Sequence, residues 1–255
     1  MKLRELYSCL KEHKSSGFAE REVYGITHDS RKVKEGYLFV AIRGYKVDGH
    51  DYVIRAIEKG ATALVVDKKI ETVSSIPQIV VPDTRYALAA MSTRFYGEPS
   101  SQMTVVGVTG TNGKTTTSYF TKSIIEASGS EAGLIGTIQY QIGKMVIPAQ
   151  ETTPESVEIQ RYLAEMLKSG IKYAVIEASS HALSQHRVEG VRFSSAIFTN
   201  LSVEHLDYHA NIQNYRAEKL KLVKGLDTEA FAILNADHNA SKHFAECTRA
   251  QVVWY

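Results

Sequence analysis

The chain has 255 residues, 44% hydrophobic and 23% charged, with a formal net charge of +2. That composition is globular rather than disordered, and the length suits two domains with separate cores. Near-neutrality gives no footing for nucleic acid or a membrane surface, so neither is expected as a partner.

Tyr37–Ile42 and Ala63–Val66 read as strands, with Tyr52–Lys59 a short helix stopped by Gly60 and Ile79–Val81 a further strand. Arg85–Tyr96 has helical periodicity and runs into Gly97-Glu98-Pro99-Ser100-Ser101, turn chemistry that marks an interdomain linker. The expected domains are therefore 1–100 and 101–255. The second opens on Met103–Thr109, a β-branched run suited to a buried strand, followed by a glycine-rich turn and a helix from Lys114 to about Ala127. Gly133–Ile138 is the next strand, and Tyr140–Val146 around Gly143 is a hairpin. Pro154 is expected at a helix start, with Glu155–Lys168 helical and closed by Gly170. Tyr173–Glu177, Ser195–Thr199 and Phe231–Asn235 are strands, and Ile212–Lys224 is a helix. Strands alternating with helices predict an α/β fold with a doubly wound, mostly parallel sheet. Gln251–Tyr255 reads as one more strand. Either the sheet finishes there, or this is the front part of a longer protein.

Cys9 and Cys247 are too few and too far apart for a disulfide framework or a metal knuckle, which points to a reducing, cytoplasmic setting. The N-terminus carries charges throughout and lacks a signal-peptide core, and no apolar run approaches the roughly 18–20 residues that span a bilayer.

The chemistry concentrates at the ends of the later strands. Gly110-Thr111-Asn112-Gly113-Lys114-Thr115, with Thr116 next, lies between a strand and a helix and reads as a phosphate-binding loop for a nucleoside triphosphate. Lys114 would reach the terminal phosphates, and the Thr115 hydroxyl would ligate Mg²⁺. Val108 occupies the position where the general pattern has its first glycine. Ligands gather at the carboxyl ends of strands in such sheets. That rule brings Glu177, a candidate Mg²⁺ carboxylate, near the loop, and puts His205, Asp207 and His209 at the same edge. Zinc is the competing reading, disfavoured because the spacing does not set three close ligands on one element. Lys219 has no distinguishing pattern and reads as an ordinary surface lysine.

Together TGTNGKTTT (109–117), ETTP (151–154), EASSHAL (177–183), TNLSVEHLDYH (199–209) and YRAEK (215–219) resemble the Mur ligase family of ATP-dependent amide ligases. HDSRKVKEGYLFVAIRGYKVDGHDY (28–52) resembles the uridine-nucleotide-binding domain of the MurE-type branch. That branch adds a third residue, meso-diaminopimelate or L-lysine, to UDP-N-acetylmuramoyl-L-alanyl-D-glutamate in peptidoglycan synthesis. The resemblance implies that Ser30 contacts the UDP-muramoyl substrate. It implies that Thr152, Thr153, Ser179, Gln185 and Arg187 hold the sugar and peptide part. It implies one Mg²⁺ on Thr115 and Glu177, and a second metal held by His205 and by Lys219 carbamylated with CO₂. Lys114, Glu177, His205 and Lys219 are thus the implied catalytic set. Glu204 stands where the family usually carries Asp. The family also has a C-terminal domain that lies outside these 255 residues, so the chain alone is expected to be a monomer without turnover. Within the fold, a folylpolyglutamate synthetase-like ligase is the alternative. A nucleotide- and substrate-binding fragment and a kinase are the others.

Overall fold

The computed structural model describes residues 1–16, 19–45 and 47–255. The chain divides into two compact units, Met1–Gly97 and Glu98–Tyr255, just ahead of the expected 100/101 boundary.

The first unit contains α1 (Leu3–Tyr7), β1 (Lys14–Ser16), β2 (Gly25–Thr27), β3 (Tyr37–Val40), α2 (Val53–Glu58), β4 (Ala61–Val66), β5 (Gln78–Val80) and α3 (Thr84–Phe95). The sheet runs β1-β5-β4-β3-β2, parallel from β2 to β5 and antiparallel at β1. Phe39, Leu64 and Val66 bury one face against Val53 and Ala56 of α2. Gly60 stops α2 at φ +95°, where a Cβ would press on the Glu35 main chain at 2.8 Å. The Asp83 carboxylate caps α3 by accepting from the Arg85 and Tyr86 amides. α1, β1 and β2 are too short to leave a periodic pattern in the sequence.

The second unit contains β6 (Thr104–Thr109), α4 (Lys114–Ala127), β7 (Ala132–Ile135), β8 (Gln139–Ile142), β9 (Met145–Pro148), α5 (Ser156–Lys168), β10 (Tyr173–Glu177), α6 (Ser180–Ser184) and β11 (Ser195–Phe198). It continues with α7 (Leu206–His209), α8 (Ile212–Lys224), β12 (Phe231–Leu234), α9 (Ser241–Cys247) and β13 (Gln251–Trp254). The sheet order is β13-β12-β11-β6-β10-β7-β8-β9, parallel through β7 and antiparallel at the β8–β9 hairpin. The fold is thus the doubly wound α/β arrangement the alternation predicts.

Alternation along the strands builds a core on each face. Val105, Ala174, Ile176, Ala196, Phe198 and Leu234 pack with α5, α8 and α9, while Val106, Val108, Val175 and Ile197 pack with Tyr119 and Ile125 of α4. Gly107 permits this layering, because a Cβ there would lie 2.9 Å from Phe193 and 3.1 Å from Leu222. Several boundaries differ from expectation, three of them in the stretch between β7 and α5. β7 ends at Ile135 rather than Ile138, where the chain bends out of the sheet past Glu177. Pro154 precedes the helix; Glu155 is the N-cap and the first turn begins at Ser156. The hairpin reaches Pro148, turning at Gly143 with φ +59°. Among the described residues no helix is long and apolar enough to cross a membrane.

Candidate active site

β6 is flanked by β10 and β11, so three strand ends meet beside the turn 110–113. Gly110 sits at φ +150°, and a Cβ there would fall 1.9 Å from the Thr199 hydroxyl; only glycine lets the turn approach β11 so closely. Gly113 caps α4 at φ +81°. The end of β11 grips the turn. Thr111 N–H donates to Asn200 O (2.9 Å), Asn112 N–H donates to Asn200 Oδ1 (2.9 Å), and Asn200 Nδ2 donates back to Asn112 O (3.0 Å). Two loop amides are therefore occupied. The amides of Gly113, Lys114, Thr115 and Thr116, at the start of a 14-residue helix, are the ones left for an anion. The Lys114 ammonium donates to Gly110 O (3.0 Å) and Thr111 O (2.7 Å), and burial pulls its pKa down against the opposing fields of Glu177 and Glu204.

Glu177 ends β10 in register with Val108 and is fully buried. Its Oε2 accepts from the Thr115 hydroxyl (3.0 Å) and the Thr137 hydroxyl (2.9 Å), and its Oε1 accepts from Thr137 N–H (3.2 Å). Gly136 makes room, since a Cβ would lie 2.3 Å from Oε1. The hydrogen bonds that this carboxylate accepts come from neutral groups, two hydroxyls and one main-chain amide. A buried carboxylate with neutral partners, set beside two hydroxyl oxygens, fits a hard, oxygen-seeking divalent cation such as Mg²⁺.

Lys219 is the reverse case. It lies on α8 with 1% of its surface exposed, donating from Nζ to Gly110 O at 2.7 Å and resting 4.6 Å above the Tyr215 ring. Burial, then the nearby Lys114 charge, brings its pKa down to about 7. Carbamylation by CO₂ requires a neutral amine, the form that burial favours here, so the environment fits that group. Tyr215 is a hub. Its hydroxyl lies 3.2 Å from the Thr111 hydroxyl, and its ring meets His205 and His209 at centroid distances of 6.1 and 5.2 Å.

The expected histidines separate in role. His205 is exposed at φ +56°, edge-on to His181 at 4.7 Å and to the Tyr215 ring at 6.1 Å. His209 is buried, with Nε2 3.0 Å from the Ser180 hydroxyl, and burial lowers its pKa. Asp207 is exposed on α7. Among the described residues no group of three or more His, Cys, Asp or Glu could hold a metal alone. Any ion here draws further ligands from phosphate or water.

The residues implied for the substrate form a second network. The Thr153 hydroxyl donates to Glu177 O (2.5 Å) and accepts from Ser179 N–H (3.1 Å), so it staples the end of β10. The Ser179 hydroxyl caps α6. Arg187 pairs with Glu151 and with Glu155 (3.2 Å) and donates to Thr153 O (2.8 Å) and Gln185 Oε1 (3.0 Å). Thr152 meets the Thr137 hydroxyl at 3.1 Å. Ser30 is buried in the first unit, next to Asp29. Sequence reasoning misses Thr137, Asn200 and Tyr215. Tyr215 sits one helical turn before Lys219, which is the signal that would find it.

Residues 108–255 match the Mur ligase middle domain, and residues 22–96 match the catalytic domain of the Mur ligase family. The chain belongs to the Mur ligase family. It is 41% identical over 255 residues to the UDP-N-acetylmuramoyl-L-alanyl-D-glutamate--2,6-diaminopimelate ligase of Caldanaerobacter subterraneus, covering 100% of this chain and 52% of the relative. The ligase of the same name from Bacillus licheniformis is 43% identical over 262 residues, covering 100% and 53%. A solved structure of a ligase of that name superposes with a TM-score of 0.84 at 25% identity, covering 100% of this chain and 52% of that one. The chain thus spans about half the length of the curated relatives it matches.

Proposed function

We propose that this chain is the substrate- and nucleotide-binding part of an ATP-dependent amide ligase of peptidoglycan synthesis, acting in the cytoplasm. The substrate would be UDP-N-acetylmuramoyl-L-alanyl-D-glutamate, and the amine a diamino acid, which the relatives' names give as 2,6-diaminopimelate. The observation that carries this reading is the convergence of unpaired helix amides, Lys114 and the buried Glu177 carboxylate on one strand edge.

The α4 amides and Lys114 would hold the triphosphate, and Thr115 and Glu177 would hold Mg²⁺, which would neutralise phosphate charge. A carboxylate oxygen of the substrate's D-glutamyl residue attacks the γ-phosphorus, and the bond to ADP breaks, leaving an acyl phosphate. The diamino acid's amine then attacks the acyl carbon, and inorganic phosphate leaves as the nitrogen loses its proton. A carbamate on Lys219 (amine plus CO₂, releasing one proton) would supply an anion for a second metal together with His205. Arg187 would hold the sugar and peptide part of the long substrate, whose contacts remote from the reacting carboxylate help orient it.

Calorimetry of the purified chain with ATP in magnesium tests the reading, with saturable binding expected; no binding would remove it. ¹³C NMR under ¹³CO₂ checks the carbamate separately, through a new carbonyl signal absent from Lys219→Met. Mass spectrometry after incubation with ATP, the UDP-muramoyl dipeptide and diaminopimelate separates amide formation from a stable phosphorylated product, which would indicate a kinase.

A further inference from the structure

We propose that His238 is a positioning residue for the phosphate loop, acting through the main chain of Leu201. This rests on residues 110–116 being that loop. His238 lies in the turn between β12 and α9, and none of its hydrogen bonds reaches the loop itself. Its Nδ1 accepts from Ala240 N–H at 3.1 Å, so the neutral ring carries its proton on Nε2. Nε2 lies 3.0 Å from Leu201 O, to which it donates; the 3.2 Å approach of Leu201 N–H to the same atom belongs to the other tautomer. The ring is set edge-on to Phe198 at 5.8 Å. A second tie runs in parallel, Asn235 Nδ2 donating to Thr199 O at 2.8 Å.

The segment 199–201 is thus clamped from one side by the β12–α9 turn and grips the loop from the other. Asn200 holds the amides of Thr111 and Asn112, and the Thr199 hydroxyl donates to Asn112 O at 2.7 Å. Leu201 is peptide-bonded to Asn200, so fixing the Leu201 carbonyl fixes the residue that orients the loop. His238 is otherwise a histidine 37 residues from its partner in sequence, with no motif to mark it.

The test uses the intact chain. Imidazole ¹⁵N NMR should show the Nε2–H tautomer for His238. His238→Ala should speed hydrogen exchange of the Thr111 and Asn112 amides while those of β6 and β10 stay protected, and should weaken ATP binding in magnesium about three- to tenfold. Two further variants separate positioning from a local turn role. Glutamine is long enough to donate to Leu201 O but loses the Ala240 contact; asparagine keeps an acceptor for Ala240 N–H and falls short of Leu201. His238→Gln should restore both readouts, and His238→Asn should behave as alanine. The reverse order, or unchanged exchange at Thr111 and Asn112 in His238→Ala, overturns the proposal. If the alanine variant also loses β6 and β10 protection, the glutamine–asparagine comparison decides. A parent chain that binds no ATP yet shows the exchange pattern would refute the phosphate-loop reading and leave the His238 clamp standing.

Discussion

The carboxyl edges of the two sheets carry charge in opposite ways. In the first unit charges are paired, and the arginines of those pairs are open to water. Arg31 binds Asp29 at 2.9 Å and holds its carboxyl down at about 2, and Arg43 binds Asp67 and, at 3.3 Å, Asp48. His50 lies between those same aspartates, 2.6 Å from Asp48 and 3.2 Å from Asp67. In the second unit Glu177 and Lys219 are withdrawn from solvent and Lys114 is half-buried, all three held by hydroxyls, amides and carbonyls. Paired surface charges cost little and contribute little. Buried charges with neutral partners cost stability, which marks a place where an incoming ligand brings the opposite charge.

The sharpest way to break this contrast is Lys114→Ala. Calorimetry should show ATP affinity falling about a hundredfold, the loss of more than one charge-assisted bond. An unchanged affinity would put the loop on a par with the surface pairs. Glu177→Gln keeps the volume and removes the charge, so ATP affinity should become the same with magnesium as with a chelator, a loss of about tenfold or more in magnesium. A magnesium dependence that persists would move the ion elsewhere.

Lys219 offers a test through pH. Its pKa is 10.5 in an unfolded chain and about 7 in the fold. Between those values the unfolded chain holds the extra proton, so stability rises with pH across the window and the full penalty applies below pH 7. Lys219→Met should therefore be more stable than the parent by about 2–4 kcal/mol at pH 6 in urea melts, the gap closing toward pH 10. A gap that does not change with pH would show that the amine is not titrating. Added bicarbonate should stabilise the parent at pH 8 and leave the methionine variant unchanged. The smallest effect belongs to the first unit: Arg43→Ala should shift a melt by less than about 1 kcal/mol, because the Arg43 side chain is largely in water.

Much of this architecture is legible in the amino-acid pattern, for reasons that also explain the gaps. β6, β10 and β11 are β-branched or apolar runs bounded by polar turns, and the rule that ligands gather at strand ends carries Glu177 to the loop. Lys219 has nothing of the kind. On an isolated helix it is one lysine among several, and only the pairing of β6 with β11, with α8 packed below, buries it. Asn200 and Tyr215 fail for the same reason, since their partners at 112 and 111 are 88 and 104 residues away in sequence. Pattern records what a residue does within its own element; what it does across elements emerges once the sheet is ordered.

The bonds from Asn200 and Thr199 to residues 111 and 112 bear on how fast a nucleotide is captured. A turn already tied to the neighbouring strand has little conformational entropy left to surrender when phosphate docks. Encounter then needs no loop-folding step and is governed by diffusion and by the positive field of Lys114 and the start of α4. Stopped-flow association should accordingly be a single phase whose rate falls as ionic strength rises.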